Sequence, residues 1–285
     1  MITKQQIQQQ LLAAFARCEG NIITAEQAGD NPVAGLQLFQ EPLVGFGRAD
    51  DPLFDSYRQP GVVGPWYMLP GEWLPGARSV LSFFFPFTQA LCQGERDSDP
   101  EGTSPEWLYG RIEGQAFLLS VLNSLCAWLK QQGAAVCMPA ADPRFAGITG
   151  GKSKLSHPDI TPATYSSNWS ERHAAYACGL GTFSLTRAII TEKGTAGRLG
   201  SIITDLELEP DPRPYAGLYD YCTRCGACAR RCPVGAISLE GGKLQEPCNQ
   251  RAAMLRARYA PRYGCGKCQT GVPCQSHIPT YSRHT

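Results

Sequence analysis

The sequence predicts an α+β protein in two parts: a mixed α/β body followed by a compact cysteine-rich module. Three observations lead there. Helix-like and strand-like apolar patterns alternate through residues 1–204. Of 13 cysteines in 285 residues, eight lie beyond residue 221. The charge divides at the same place: residues 222–285 carry +8 and the remainder −7, within a total of +1. The boundary falls in the proline-containing stretch Asp205–Tyr219, which gives a body over 1–215 and a module over 216–285.

Taken in order, residues 1–20 read as a helix with Ile7, Leu11, Leu12, Phe15 and Ala16 on one face. Residues 30–76 are rich in Gly and Pro, yet aromatic residues are interleaved, so they read as ordered loops with short strands. Ala77–Pro86 is an apolar run after a Pro-Gly turn and reads as a buried strand. Residues 91–104 read as a polar loop. Ser104 and Pro105 open a helix that runs to about Gln132, with an apolar stripe through Phe117, Leu118, Val121, Leu125 and Leu129. Ala134–Pro139 is a second short strand, and 140–164 is loop-like. Glu171–Gly179 is a helix stopped by Gly179-Leu180-Gly181. The β-rich runs Arg187–Thr191 and Gly200–Thr204 flank a turn at 193–197, which predicts a hairpin or a strand–loop–strand unit.

Several classes are disfavoured. No run of about 18 wholly apolar residues is present, so no membrane span is expected. The polar stretch Met1–Gln10 is unlike a secretory signal, which predicts a cytoplasmic protein without a membrane partner. Thiols stay reduced there, so metal ligation accounts for the cysteines better than disulfides do. Neither a Walker loop nor a dinucleotide fingerprint occurs.

The module carries the chemistry. Cys222, Cys225, Cys228 and Cys232-Pro233 have the C-x2-C-x2-C-x3-C-P spacing of bacterial ferredoxins. Cys248, Cys265, Cys268 and Cys274 follow. Crossing the ligands as in two-cluster ferredoxins gives Cys222, Cys225, Cys228 and Cys274 to one 4Fe–4S cluster. Cys232, Cys248, Cys265 and Cys268 go to the other. Two structural zinc sites are the competing reading, although the three-cysteine run is not a usual zinc spacing. Arg224, Arg230, Arg231, Arg262 and Lys267 would offset the charge of anionic clusters. Alternatively they are solvated, or they dock an acidic electron donor.

The stretches Leu74–Val80, Glu171–Gly181, Leu199–Leu206, the ferredoxin run and Tyr263–Cys268 resemble the epoxyqueuosine reductase and reductive dehalogenase superfamily. The resemblance implies a nitroreductase-like body binding cobalamin or another corrinoid, and two 4Fe–4S clusters relaying electrons to it. It also implies a small electron-donor protein of ferredoxin or flavodoxin type and a small organic substrate. Where epoxyqueuosine reductases place a proton-donating aspartate, this chain has Tyr165; dehalogenases use a tyrosine, and an ordinary half-buried tyrosine is the alternative. The family's Gly-Trp-Ile-Gly-Lys-Asn stretch becomes Gly181–Thr186 followed by Arg187, which points to a different substrate. Gly179, Gly181 and Thr204 are the candidate cofactor contacts. The chain ends eleven residues after Cys274, without the helical repeats that help epoxyqueuosine reductases hold tRNA, so tRNA is not expected. A non-catalytic electron-transfer protein, or one that reactivates a corrinoid protein, is the alternative function. Cys178 and His173 are either reactive groups or packing residues.

Overall fold

The computed structural model describes residues 2–280. Its helices are α1 (Lys4–Arg17), α2 (Ala25–Ala28), α3 (Pro52–Ser56), α4 (Pro70–Trp73), α5 (Gln89–Asp97), α6 (Pro105–Gln131), α7 (Glu171–Ala177), α8 (Ala227–Arg230) and α9 (Gln245–Tyr259). Its strands are β1 (Leu43–Arg48), β2 (Ser79–Pro86), β3 (Val136–Cys137), β4 (Gly147–Thr149), β5 (Tyr165–Ser167), β6 (Gly181–Phe183), β7 (Ile189–Thr191), β8 (Gly197–Thr204), β9 (Ile237–Ser238) and β10 (Gly242–Lys243).

An antiparallel sheet in the order β1-β2-β8-β3 divides the body into two packed layers. Strand side chains alternate between faces. Leu81, Phe83, Phe85 and Ile202 therefore join α1 and α6 in one core, while Val80 and Ile203 join α7 and the aromatic residues Phe54, Tyr57, Tyr67, Trp73 and Trp169 in the other. A strand covered on both faces reads as an unbroken apolar run, which is why β2 was visible in the sequence. Gly200 sits under α6, where a Cβ would lie 2.7 Å from Leu122. That glycine lets the long helix settle close onto β8.

One local expectation is corrected and a second in part, since the strand–loop–strand alternative holds and the hairpin does not. Residues 91–104 are not simply a loop, because α5 occupies Gln89–Asp97, capped by the Thr88 hydroxyl accepting from the Leu91 N–H. Its polar composition hides it, since the buried side includes Leu91, Cys92 and the carboxylate of Glu95. The two β-rich runs do not pair with each other. β8 is central and pairs with β2, whereas β7 pairs with β6, from Gly181↔Thr191 to Phe183↔Ile189. At Gly181 a Cβ would stand 1.9 Å from the Ile190 carbonyl oxygen, so this glycine permits strand contact as well as ending a helix. Finally, α6 is 27 residues long with a mean hydropathy of 1.3 over its most apolar window, enough by length and composition to cross a membrane. It reaches that mean without an uninterrupted apolar run. Here it lies against α1, α5 and β8, with Phe117, Leu118, Val121, Leu122 and Leu125 in the core.

The stretch 205–219 is not a free linker. Asp211 exchanges backbone and side-chain hydrogen bonds with Phe46 of β1, at 2.8 and 3.0 Å, and Arg213 pairs with Asp51 at 2.7 Å.

Candidate cysteine centres and adjoining cleft

Beyond that segment the chain folds against α5 and α6. Glu95 forms the main connection. Its fully buried carboxylate accepts from the Thr103 hydroxyl (2.9 Å), the Ser104 N–H (2.8 Å) and, across to the module, the Gly266 N–H (2.8 Å). Lys267, 3% exposed, donates to the carbonyls of Glu95 and Ser98 at 3.1 and 2.8 Å. Arg251 on α9, 4% exposed, donates to the carbonyls of Pro100 and Gly102. These contacts fix the loop that carries Cys265 and Cys268.

The eight module cysteines fall into two groups in space. One narrow cavity is lined by Cys222, Cys225, Cys228 and Cys274, with Leu185, Thr186 and Val272. A second, of about 200 Å³, is lined by Cys232, Cys248, Cys265 and Cys268. Its wall contains Arg111, Arg172, Lys243, Arg251 and Lys267 and no Asp or Glu. The Arg251 Nε–H donates to Cys265 Sγ at 3.4 Å, and the Ala236 N–H donates to Cys232 Sγ at 3.3 Å. Burial pushes the thiols of Cys268 and Cys274 up to about 12 and that of Cys228 to about 11, so ligation would have to displace their protons. Among the described residues, no three His, Cys, Asp or Glu side chains converge closely enough to hold a single metal ion. Each set instead surrounds a space.

A third, larger cavity of about 710 Å³ opens beside the second. It is a cleft between the α7 layer and α9. Tyr165 on β5 lines it, as do Tyr57, Tyr176, His173, Arg187 and Tyr219. Ser56, Ser166, Ser167, Ser170, Gln245 and Asn249 supply hydroxyl and amide groups. Tyr165 is half-buried, and among the described residues its hydroxyl has no hydrogen-bond partner. His173 shares a 2.7 Å hydrogen bond with the Ser170 hydroxyl and packs edgewise against Tyr57. Its burial lowers its pKa to about 4, which keeps the ring neutral. Beneath it, burial raises Glu171 to about 7; neither carboxylate oxygen has a hydrogen-bond partner of good geometry, and the nearby Ser201 and Trp169 offset the burial only in part.

The three cavities adjoin in a row. Thr186 lines both cysteine cavities, and Arg172, Gln245 and Asn249 line both the second cysteine cavity and the cleft. Arg172 and Arg187 make no ion pair among the described residues.

The remaining sequence candidates lie elsewhere. Thr204 is fully buried in β8, with its hydroxyl donating to the Ala135 carbonyl at 2.9 Å. Gly179 meets the backbone at Pro212, where a Cβ would lie 2.8 Å from the carbonyl oxygen, and Gly181 meets β7. None of the three lines the cleft, and each is accounted for by a close approach inside the body. Cys178 is wholly buried, its thiol pushed far up by desolvation and directed at the Val80 carbonyl at 3.3 Å, so it packs. Sequence reasoning missed Arg172, Gln245, Asn249 and Arg251. The Glu171-Arg172 pair was in view, but α9 carries no motif.

Residues 218–238 match the model of a 4Fe-4S binding domain. Over 71 residues the chain is 39% identical to the trichloroethene reductive dehalogenase of Dehalococcoides mccartyi, which covers 24% of this chain and 13% of that protein. Over 139 residues it is 28% identical to the epoxyqueuosine reductase of Staphylococcus aureus, which covers 45% of this chain and 36% of the reductase. A solved epoxyqueuosine reductase superposes with a TM-score of 0.51 at 19% identity, over 97% of this chain and 68% of the other. A catabolic reductive dehalogenase in complex with 3-bromo-4-hydroxybenzoic acid does so with 0.53 at 16% identity, over 97% and 37%. The chain is similar to both enzyme groups and shares their fold. The chain matches a 4Fe-4S binding domain over residues 218–238 and spans well under half the length of these curated relatives. The expectation against tRNA is not supported: an epoxyqueuosine reductase with this fold (TM-score 0.50, 20% identity, 84% of this chain and 63% of that one) carries a tRNA-Tyr stem loop.

Proposed function

We propose that this protein is a reductase of the reducing cytoplasm in which Cys222, Cys225, Cys228 and Cys274 hold one 4Fe–4S cluster and Cys232, Cys248, Cys265 and Cys268 hold a second. The adjoining cleft then takes a corrinoid and a small organic substrate. The observation that carries this reading is the row of three cavities with shared walls. It gives electrons a direct course from the module surface to the cleft. The donor sets suit iron–sulfur clusters: both are all-thiolate and too spread for one ion each, and the second is walled by Arg111, Arg172, Lys243, Arg251 and Lys267. The cleft suits a corrinoid, whose macrocycle is rimmed with amides, because Ser56, Ser166, Ser167, Ser170, Gln245 and Asn249 offer complementary hydroxyls and amides. Such a cofactor would supply a low-valent metal as the reducing centre. An electron-donor protein of ferredoxin or flavodoxin type supplies the electrons.

On this reading the body over 1–215 is a nitroreductase-like unit, a proposal supported by an antiparallel sheet with helices on both faces. The module over 216–285 is the relay. Tyr165 is the proton donor: it lines the cleft, its hydroxyl has no hydrogen-bond partner among the described residues, and a neutral phenol can give up a proton as charge builds on a reduced substrate. His173, held neutral, accepts from or donates to Ser170 and shapes the wall beside it.

Anaerobic purification followed by iron, sulfide and cobalt analysis tests the reading. About eight irons per chain are expected from two four-iron clusters. Two zincs without iron would overturn it, and iron without corrinoid retention in the presence of added cobalamin would remove the corrinoid from it.

A further inference from the structure

The two-cluster reading leaves open where electrons enter. Of the eight module cysteines, Cys225 is the one exposed to solvent; the other seven are buried or partly buried. Cys225 also belongs to the cavity farther along the row from the cleft. Two exposed arginines flank it. Arg224 precedes it with φ +50°, a left-handed conformation costly for a non-glycine residue, which turns its side chain over the Tyr219 ring at 5.4 Å. Arg230, one turn on, donates to the Cys225 carbonyl at 3.1 Å, so its guanidinium is held beside the cysteine. Neither arginine pairs with a carboxylate among the described residues. Apolar side chains complete the patch: Leu239 reaches the position of a Gly226 Cβ at 3.5 Å and is 44% exposed, and Tyr219 is 38% exposed.

The nearest acids do not cancel this charge. Asp220 is exposed, but its carboxylate is already engaged, accepting from the N–H groups of Ala216 and Gly217. Glu240 is an exposed neighbour of Leu239, within a module of net charge +8. A small surface, apolar at its centre with a cationic border and an exposed thiol ligand, has the features of an electron-transfer interface. Such interfaces are small, short-lived and steered by opposite charge.

We infer that the surface formed by Tyr219, Arg224, Cys225, Arg230 and Leu239 is the docking site for an acidic one-electron carrier protein, and that Arg224 and Arg230 steer it. This inference rests on the two-cluster reading. In each encounter the carrier is oxidised by one electron and the module reduced by one, with no bond made or broken.

The test uses the anaerobically purified, cluster-loaded full chain and a reduced flavodoxin as the probe. Stopped-flow absorbance follows bleaching of the iron–sulfur chromophore. The double variant Arg224→Glu/Arg230→Glu should be reduced by flavodoxin at least about tenfold more slowly, the scale of charge steering, and the wild-type rate should fall as salt is raised. Reduction by dithionite, which needs no docking, should be unchanged in the variant. Arg258→Glu, an exposed arginine on α9 away from the patch, should behave as wild type. Equal flavodoxin rates in the double variant and wild type would overturn the assignment, as would an equal loss in Arg258→Glu. Absence of iron in the wild type would instead remove the reading beneath it, so the two failures are distinguishable.

Discussion

Glu95 should be the most sensitive single side chain outside the cysteines. It is fully buried and its carboxylate joins four donors, three from the α5–α6 connection (Thr103, Ser104 and, at 3.4 Å, Ser98) and one from Gly266. Hydrogen bonds to a charged group are each worth about 1.5–3 kcal/mol, but they share one carboxylate and do not add. Glu95→Ala also leaves the buried N–H groups of Ser104 and Gly266 without their acceptor, each costing about 1–3 kcal/mol. The expected loss is therefore about 4 kcal/mol, a large share of the roughly 5–15 kcal/mol that holds a domain folded. Glu95→Gln keeps the shape and one acceptor oxygen but turns an amide N–H₂ toward a donor, so about half that loss is expected. Urea unfolding at pH 7 measures both, and iron content of the variants reports whether the Cys265–Cys268 loop still holds its place. The order should be wild type, Gln, Ala. A loss under about 1 kcal/mol for Ala would refute the claim that this carboxylate joins module to body.

Arg251→Met should lower the midpoint potential of one of two clusters, read by redox titration with electron paramagnetic resonance, because the variant removes a cation and an N–H donor from Cys265 Sγ; unchanged potentials would remove that role. Tyr165→Phe should leave iron content and corrinoid retention unchanged and, once a substrate is found, lower turnover by roughly 10²-fold or more, as loss of a general acid does. Cys178→Ala should cost about 1–2 kcal/mol of stability and nothing in cluster content, since the side chain only fills space. Glu171 and His173 should oppose each other in pH dependence. The His173 contribution is present above pH 6.5 and lost as pH falls toward its folded pKa of about 4. The Glu171 contribution is present below pH 4.5 and lost as pH rises through about 7. Glu171→Gln should thus give a urea midpoint that rises between pH 5 and 6.5, and His173→Gln one that falls; parallel profiles would contradict both shifts.

Legibility in the sequence followed how local each cause was. The cysteine run is a local pattern, and Cys274 lines the same cavity as Cys222, Cys225 and Cys228. β2 announced itself by burial on both faces, and α6 by its cap and stripe. The pairing of β8 with β2 was not legible, because it depends on two cores that exist only once α6 and α7 have packed on opposite faces. Thr204 and Gly179 illustrate the same limit from the other side. Both stand in stretches that resemble the superfamily, yet one hydroxyl is spent on a backbone carbonyl within the sheet and one glycine on a backbone crossing. Sequence similarity there marks packing. Gln245 and Asn249 reach the cleft because α9 comes back across it, and nothing in their own neighbourhood forecasts that.

Arg172 draws the charge division and the cavity row into one account. Its side chain is exposed to the two cavities whose walls it forms, where Arg111 and Arg187 repel it and Cys268 and Cys248 attract it. An arginine remains charged, and a cation that faces other cations without a counter-ion is in an unfavourable field. No carboxylate in the described residues answers it, and none lines the cleft or the second cysteine cavity. The residues able to answer it are the thiolates of Cys232, Cys248, Cys265 and Cys268, once ligation has removed their protons. The acidic body thus contributes a cation to the wall it shares with the basic module. The charge that would be a liability in a zinc-free, fully protonated thiol cluster becomes favourable beside an anionic one. That is a physical reason, independent of cysteine spacing, for the second set to hold a net negative centre and for that centre to sit against the cleft.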